Sequence, residues 1–82
     1  MAAQLYPVPT RDNLSIDVFT QNEFETQLFI RNTNGKVLIT KNVSPLSGKQ
    51  NLQIDIEHWA NGVYFLQLFN GKEMKTYRFV KQ

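Results

Sequence analysis

The feature that most constrains the fold is a strict alternation of apolar and polar residues in two separate segments. Residues 14–18 and 52–56 each place an apolar side chain at every second position, with Asp17 and Asp55 between them. A period of two is typical of β-strands that have one face on a core and the other on solvent. A shift by one residue would bury an aspartate, so the alternation also defines the strand register. The predicted inward-facing side chains are Leu14, Ile16, Val18, Leu52, Ile54 and Ile56.

The dipeptide Asn34-Gly35 predicts a β-hairpin. It lies between the apolar segments 26–32 and 36–41. Asparagine and glycine both tolerate positive φ, which two-residue hairpin turns require. The two flanking segments are therefore predicted to pair as antiparallel strands.

A second hairpin is predicted around Asn70-Gly71, which joins segment 62–69 to segment 74–80. The first of these segments is apolar at successive positions and rich in β-forming residues. This pattern predicts a central strand that is covered on both faces. The last strand carries more charge, which is typical of an edge.

Two prolines near the start indicate another edge. Residues 6–10 read Tyr-Pro-Val-Pro-Thr, and neither Pro7 nor Pro9 can donate a backbone hydrogen bond to a sheet. This segment is expected to lie extended along an edge.

The remaining breaks are a loop at 45–48 and one short helical turn at 57–62 that ends at Gly62, for which positive φ is expected. No full helix is predicted. The spacing of strands and turns favours an all-β, immunoglobulin-like β-sandwich of about seven short, mainly antiparallel strands.

Length and composition limit the classes of function. The 82 residues are enough for one domain, predicted to span 5–82 after a linker at 1–4. A net charge of +2 is too small for the basic surface that nucleic acid requires. The chain has no cysteine, and it has no apolar run of the roughly 20 residues that span a bilayer. The first residues do not resemble a signal peptide, so an exported protein containing this domain is expected to begin further upstream.

No group of residues predicts catalysis or metal binding. His58 is the only histidine and is interpreted as a surface or capping residue, since a general base needs a partner and a nucleophile. Asp17, Asp55 and Glu57 are interpreted as a solvated sheet face. The chain also lacks the spacings of a nucleophile elbow, a phosphate-binding loop or a calcium loop. We therefore expect no enzyme activity, no metal and no cofactor.

The last two strands are rich in aromatic and basic residues. Tyr64, Phe65, Phe69, Tyr77 and Phe79 are interpreted as core filling, with a carbohydrate-stacking platform as the alternative. The basic residues there are expected to protect an edge strand from unwanted pairing, and those beyond position 73 are expected to be exposed. The basic residues of this segment are Lys72, Lys75, Arg78 and Lys81.

The order of several motifs resembles a known family. The resemblance is carried by residues 5–16, 34–38, 52–56, 60–66 and 80–82. Together they resemble the type A C-terminal sorting domain of the type IX secretion system, over nearly the whole chain. Val8 stands where that family usually has asparagine. This keeps the two-proline edge but removes a side chain that can cap a turn.

The resemblance implies recognition as the function. Domains of this family lie at the C-terminus of proteins that a signal peptide exports to the periplasm of Gram-negative Bacteroidetes. The outer-membrane translocon reads the folded domain, and in typical type A members a surface sortase removes it and can join the cargo to anionic lipopolysaccharide. The implied partners are the translocon, the sortase and an N-terminal cargo domain of the same chain. The implied location is the periplasm in transit, then the outer membrane, cell surface or medium.

The resemblance also implies where recognition occurs. The residues expected to meet the translocon are Gly62, Val63, Tyr64, Lys75, Arg78 and Lys81. Tyr6, Pro7 and Pro9 form an N-terminal edge motif near the processing boundary. The alternative is an accessory sandwich domain of a surface enzyme or adhesin, binding glycan through exposed aromatic residues.

Overall fold

Seven β-strands account for most of the chain. The computed structural model describes residues 1–7, 9–20, 25–43 and 48–82, and no helix occurs in these residues. Consequently none of them forms a helix long and apolar enough to cross a membrane. The strands are β1 (Ala2–Tyr6), β2 (Asn13–Thr20), β3 (Thr26–Arg31), β4 (Val37–Val43), β5 (Gly48–Asp55), β6 (Gly62–Phe69) and β7 (Met74–Lys81).

The strands form two antiparallel sheets. The first has the order β1-β2-β5 and the second the order β4-β3-β6-β7. The chain changes sheet between β2 and β3, between β4 and β5, and between β5 and β6. This arrangement confirms the predicted all-β, immunoglobulin-like sandwich.

The core lies between the two sheets. Leu14, Ile16, Val18, Ile54 and Ile56 are buried there, as the alternation predicted. Leu52 is only partly buried but packs against the same cluster. The four-stranded sheet contributes the other buried apolar side chains, which are Leu28, Ile30, Val43, Tyr64, Leu66, Leu68 and Phe79.

Both predicted hairpins form. At β3–β4 the side-chain oxygen of Asn32 accepts hydrogen bonds from the N–H groups of Asn34 and Lys36, at 2.9 and 3.0 Å. At β6–β7 the side-chain oxygen of Asn70 accepts from Lys72 and Glu73, both at 2.9 Å. Each turn is thus closed by an asparagine at its first position, which satisfies backbone donors that the strands leave free.

Strand β6 is central in its sheet, as predicted, but it is not covered on both faces. Its core-facing side chains are buried, while Val63, Phe65 and Gln67 on the other face are only half-buried. The difference arises because no further layer packs on the outer face of the four-stranded sheet among the described residues. Segment 62–69 therefore has more apolar side chains than the core between the two sheets buries.

Asp17 corrects another expectation. It points to the outer face of β2, as the alternation predicted, yet it is only 6% exposed. Tyr6 and Asn51 cover it from the neighbouring strands and hydrogen-bond to its carboxylate. A solvated sheet face is therefore wrong for Asp17, whereas Asp55 and Glu57 are exposed.

The N-terminal segment runs along an edge. Strand β1 is the outer strand of its sheet and includes residues 2–4, which the sequence had assigned to a linker. Pro7 and Pro9 follow it and are exposed, while Val8 lies outside the described residues. The predicted loop at 45–48 also lies largely outside them, since the structure describes only Gly48, where β5 begins.

Candidate recognition surface

The last strand lies at an edge, as expected. Among the strands, β7 pairs only with β6, in a continuous register from Gly62 opposite Lys81 to Phe69 opposite Met74. On its other side Thr10 forms a parallel bridge with Lys81. The C-terminal end of this edge is therefore covered by the N-terminal segment, while the part nearer Met74 pairs with no other described strand.

The basic residues of β7 do not share one face. Tyr77 and Phe79 pack toward the core, so the alternation places Lys75 and Lys81 on that same side of the strand. Arg78 points to the opposite, outer face. Lys75 and Arg78 are exposed, as predicted. The structure thus divides the expected basic patch between two sides of the sheet.

Lys81 is only 7% exposed, so its predicted exposure is wrong. Its ammonium Nζ donates to the C=O of Glu57 at 3.3 Å. The residue opposite it in the sheet is Gly62. The signal for burial was its position two residues after Phe79, on the core-facing side of the same strand.

Gly62 and Tyr64 organise the start of β6. Gly62 has φ 150°, which confirms the predicted positive value. Tyr64 is buried, and its hydroxyl donates to the C=O of Ala60 at 2.6 Å. Its ring centre lies 5.2 Å from that of Trp59 and 5.6 Å from that of Phe79. Tyr64 therefore connects the 57–62 turn to the core, and little of its side chain is exposed to a partner.

The turn itself has one backbone hydrogen bond, in which the N–H of Trp59 donates to the C=O of Ile56 at 3.0 Å. His58 is exposed on this turn, as predicted. In the described ranges no three histidine, cysteine or acidic side chains lie close enough to hold a metal ion.

The N-terminal motif is held to the sheet by Tyr6. Its hydroxyl donates to Asp17 Oδ1 at 3.2 Å, and Asn51 Nδ2 donates to the same carboxylate oxygen at 2.8 Å. Lys49 lies 3.8 Å from the other oxygen of Asp17. Partial burial of the phenol, followed by the charge and the hydrogen bond of Asp17, raises the pKa of Tyr6 above its usual value.

A surface that the sequence reading did not identify is the outer face of the four-stranded sheet. The strand registers place Val37, Arg31, Phe65 and Arg78 in one row across the sheet. The next two rows are Thr40, Phe29, Gln67 and Thr76, then Asn42, Gln27, Phe69 and Met74. Val63 and Val80 extend the face beyond the first row. In the sequence, the indication of this face was the set of apolar residues in segment 62–69 that alternate with the core-facing positions.

The aromatic residues therefore have two roles. Tyr64 and Phe79 are buried and Tyr77 packs against the core, as core filling predicted. Phe65 and Phe69 instead lie on the outer face, half-buried and 36% exposed respectively.

Fold and surface together define a small β-sandwich with two edge motifs and, among the described residues, an outer sheet face that combines apolar and basic side chains. The secretion system C-terminal sorting domain family matches residues 4–82. The chain belongs to this family, whose members are sorting signals of the type IX secretion system and not enzymes. No curated protein matches the chain. The resemblance inferred from the motif order is thereby confirmed.

Proposed function

We propose that this domain directs an N-terminal cargo protein from the periplasm through the outer-membrane translocon of the type IX secretion system. Membership of the sorting-domain family is the observation that carries the proposal, because that family serves export to the cell surface or medium. The rigid sandwich suits the role, since a signal that is read while folded needs a fixed scaffold.

Recognition by the translocon is proposed to involve the last hairpin. Lys75 and Arg78 are exposed on β7 and can contact a partner directly. Gly62, Tyr64 and Lys81 act indirectly in this proposal, because they shape the start of β6 and the end of β7. Val63 is half-buried beside this region and completes the predicted set.

Processing by a surface sortase is the second part of the proposal. The cut is proposed to fall at the N-terminal side of the domain, where Tyr6, Pro7 and Pro9 lie on an edge. Exposure of both prolines supports access to this region. The mass of the exported cargo tests the proposal, since cleavage shortens it by the domain and retention leaves it at full length.

Export itself is tested with a fusion. A foreign periplasmic protein is joined to the N-terminus of the domain and expressed in a Bacteroidetes host that has the secretion system. The expected result is reporter at the surface or in the medium, and periplasmic reporter when the domain is omitted or the translocon is deleted. Equal export with and without the domain would refute the function. It would favour the accessory, glycan-binding alternative, for which the exposed Phe69 is the supporting observation.

A further inference from the structure

Charge is distributed unequally between the two halves of the sandwich. Segments 26–43 and 62–82, which form the four-stranded sheet and its turns, contain seven of the nine basic residues and one acidic residue, Glu73. The rest of the chain contains two basic and six acidic residues. The four strands of the larger sheet include no acidic residue at all. Such a separation of charge orients a protein toward an acidic partner.

The outer face of this sheet combines the charge with exposed apolar area. Phe69 is 36% exposed, Val37 37% and Met74 53%. Phe29 and Phe65 are half-buried between them. These five apolar side chains share the outer face with Arg31, Arg78 and uncharged polar residues. Exposed apolar side chains combined with arginine are typical of an interaction surface.

Arg31 is held in place on this face. Its Nε donates to Gln67 Oε1 at 2.7 Å, and its Nη1 donates to the C=O of Gly35 at 3.1 Å. The guanidinium carbon lies 5.7 Å from the ring centre of Phe29. Neither hydrogen bond uses Nη2, and Arg31 makes no ion pair with a described carboxylate. A guanidinium that is already ordered loses little entropy when it binds a carboxylate.

Arg78 lies in the same row, on the far side of Phe65. It is exposed and likewise makes no ion pair with a described residue. The row therefore presents an aromatic side chain flanked by two guanidinium groups. Aromatic and arginine side chains are the types most enriched where protein interfaces gain their affinity.

We propose that the outer face of the four-stranded sheet is the surface that docks on the translocon, against a partner surface with exposed apolar residues and carboxylates. This inference rests on the proposed function and extends it, because it moves the main contact from the strand edge to the sheet face. Arg31 and Phe29 of β3 join Arg78 in the contact, although neither belongs to the last hairpin. The four strands of this sheet carry basic residues and no acidic residue. An acidic protein surface is therefore the partner whose charge complements this face.

The test compares two double variants with the same change in charge. Arg31→Gln with Arg78→Gln neutralises the face, whereas Arg11→Gln with Lys41→Gln neutralises two exposed basic residues elsewhere. Lys41 lies in the same sheet, directly opposite Leu28. Because Leu28 is buried in the core, Lys41 is on the core-facing side of β4 and not on the outer face. Binding of the immobilised domain to the purified, detergent-solubilised translocon is measured at low and at physiological salt.

The expected result is binding at least about tenfold weaker for the face variant and within about twofold for the control, with the difference shrinking as salt rises. Thermal unfolding verifies that both variants are folded. A second pair of variants keeps Arg31 and is used if loss of the Arg31 hydrogen bonds unfolds the protein. Thr76→Glu places an acid on the face, and Gln53→Glu places one on the exposed side of β5. Only Thr76→Glu is expected to weaken binding.

The outcomes separate the two proposals. If the wild-type domain binds the translocon and face and control variants bind equally, the docking face is wrong while the sorting function stands. If the wild-type domain neither binds nor exports a reporter, both fail. Dimerisation in solution that the face variant abolishes would assign the face to a second copy, and binding of anionic lipid vesicles with the same sensitivity would assign it to a membrane. Either result without a translocon effect overturns the inference.

Discussion

Thr10 forms a parallel bridge with Lys81, so the segment after the two prolines is bonded to the last strand. The N–H of Thr10 donates to the C=O of Val80 at 3.0 Å, and the N–H of Gln82 donates to the C=O of Thr10 at 2.8 Å. The Thr10 side chain is fully buried, and its hydroxyl donates to the C=O of Asn13 at 2.7 Å. One residue thereby joins the N-terminal edge motif to the C-terminal end of β7.

Thr10→Val is expected to lower the free energy of unfolding by about 1–2 kcal/mol, because the C=O of Asn13 loses the hydroxyl donor of a part-buried hydrogen bond while the side-chain shape is kept. Chemical denaturation measures the change. Thr40→Val, at an exposed position of β4, is the control and is expected to have little effect. Equal stabilities of the two variants would contradict the role given to the Thr10 hydroxyl.

Ile54→Ala is expected to destabilise the domain by about 2–5 kcal/mol, since Ile54 is 3% exposed and its truncation leaves a cavity in the core. Gln53→Ala changes the neighbouring exposed position of the same strand and is expected to be nearly neutral. Melting temperatures compare the two. An unchanged value for Ile54→Ala would mean that β5 does not present this residue to the core.

Gly62→Val is expected to cost about 1–2 kcal/mol through backbone strain, because L side chains rarely adopt φ 150°. Steric contact does not explain the cost, since no atom lies within 4 Å of a Cβ placed there. Gly35→Asn is the comparison, because asparagine tolerates a φ near 82°. If Gly62→Val unfolds at the same denaturant concentration as the wild type, the strain is absent.

Lys81→Gln is expected to lower stability by about 1–3 kcal/mol, because the shorter side chain leaves the C=O of Glu57 without its donor in a mostly buried site. Lys75→Gln removes the same charge from an exposed position of the same strand and is expected to change stability by less than about 0.5 kcal/mol. Equal melting curves would show that Lys81 makes no structural contribution.

Tyr6 is expected to ionise at higher pH than an ordinary tyrosine, because its pKa is raised by burial and by Asp17. The folded pKa lies above the unfolded one, so the stabilisation is complete below the unfolded pKa and is lost as pH rises through the folded pKa. Asp17→Asn removes the charge and should bring the pKa of Tyr6 closer to its usual value. Ring-carbon NMR titration distinguishes Tyr6 from Tyr64 and Tyr77. A pKa that does not fall in the variant would contradict the contribution of Asp17.

The sequence alone determined the local structure of this protein. Alternation at 14–18 and 52–56 predicted which side chains enter the core, because a strand directs successive residues to opposite faces. Asn-Gly dipeptides predicted both hairpins, because the conformations that the turns need are available to few residues. The motif order predicted the family that the comparison confirmed.

The tertiary structure decided which side chains of different strands come into contact. Lys81 is buried at the end of β7, where its ammonium donates to the C=O of Glu57 in the turn before β6. Asp17 is buried because Tyr6 of β1 and Asn51 of β5 cover it from either side. The row that joins Arg31, Phe65 and Arg78 exists only because β6 lies between β3 and β7. These arrangements depend on strand order and on contacts between residues far apart in the chain. No period or turn motif encodes them, since local patterns specify the face of a strand but not which strand lies beside it.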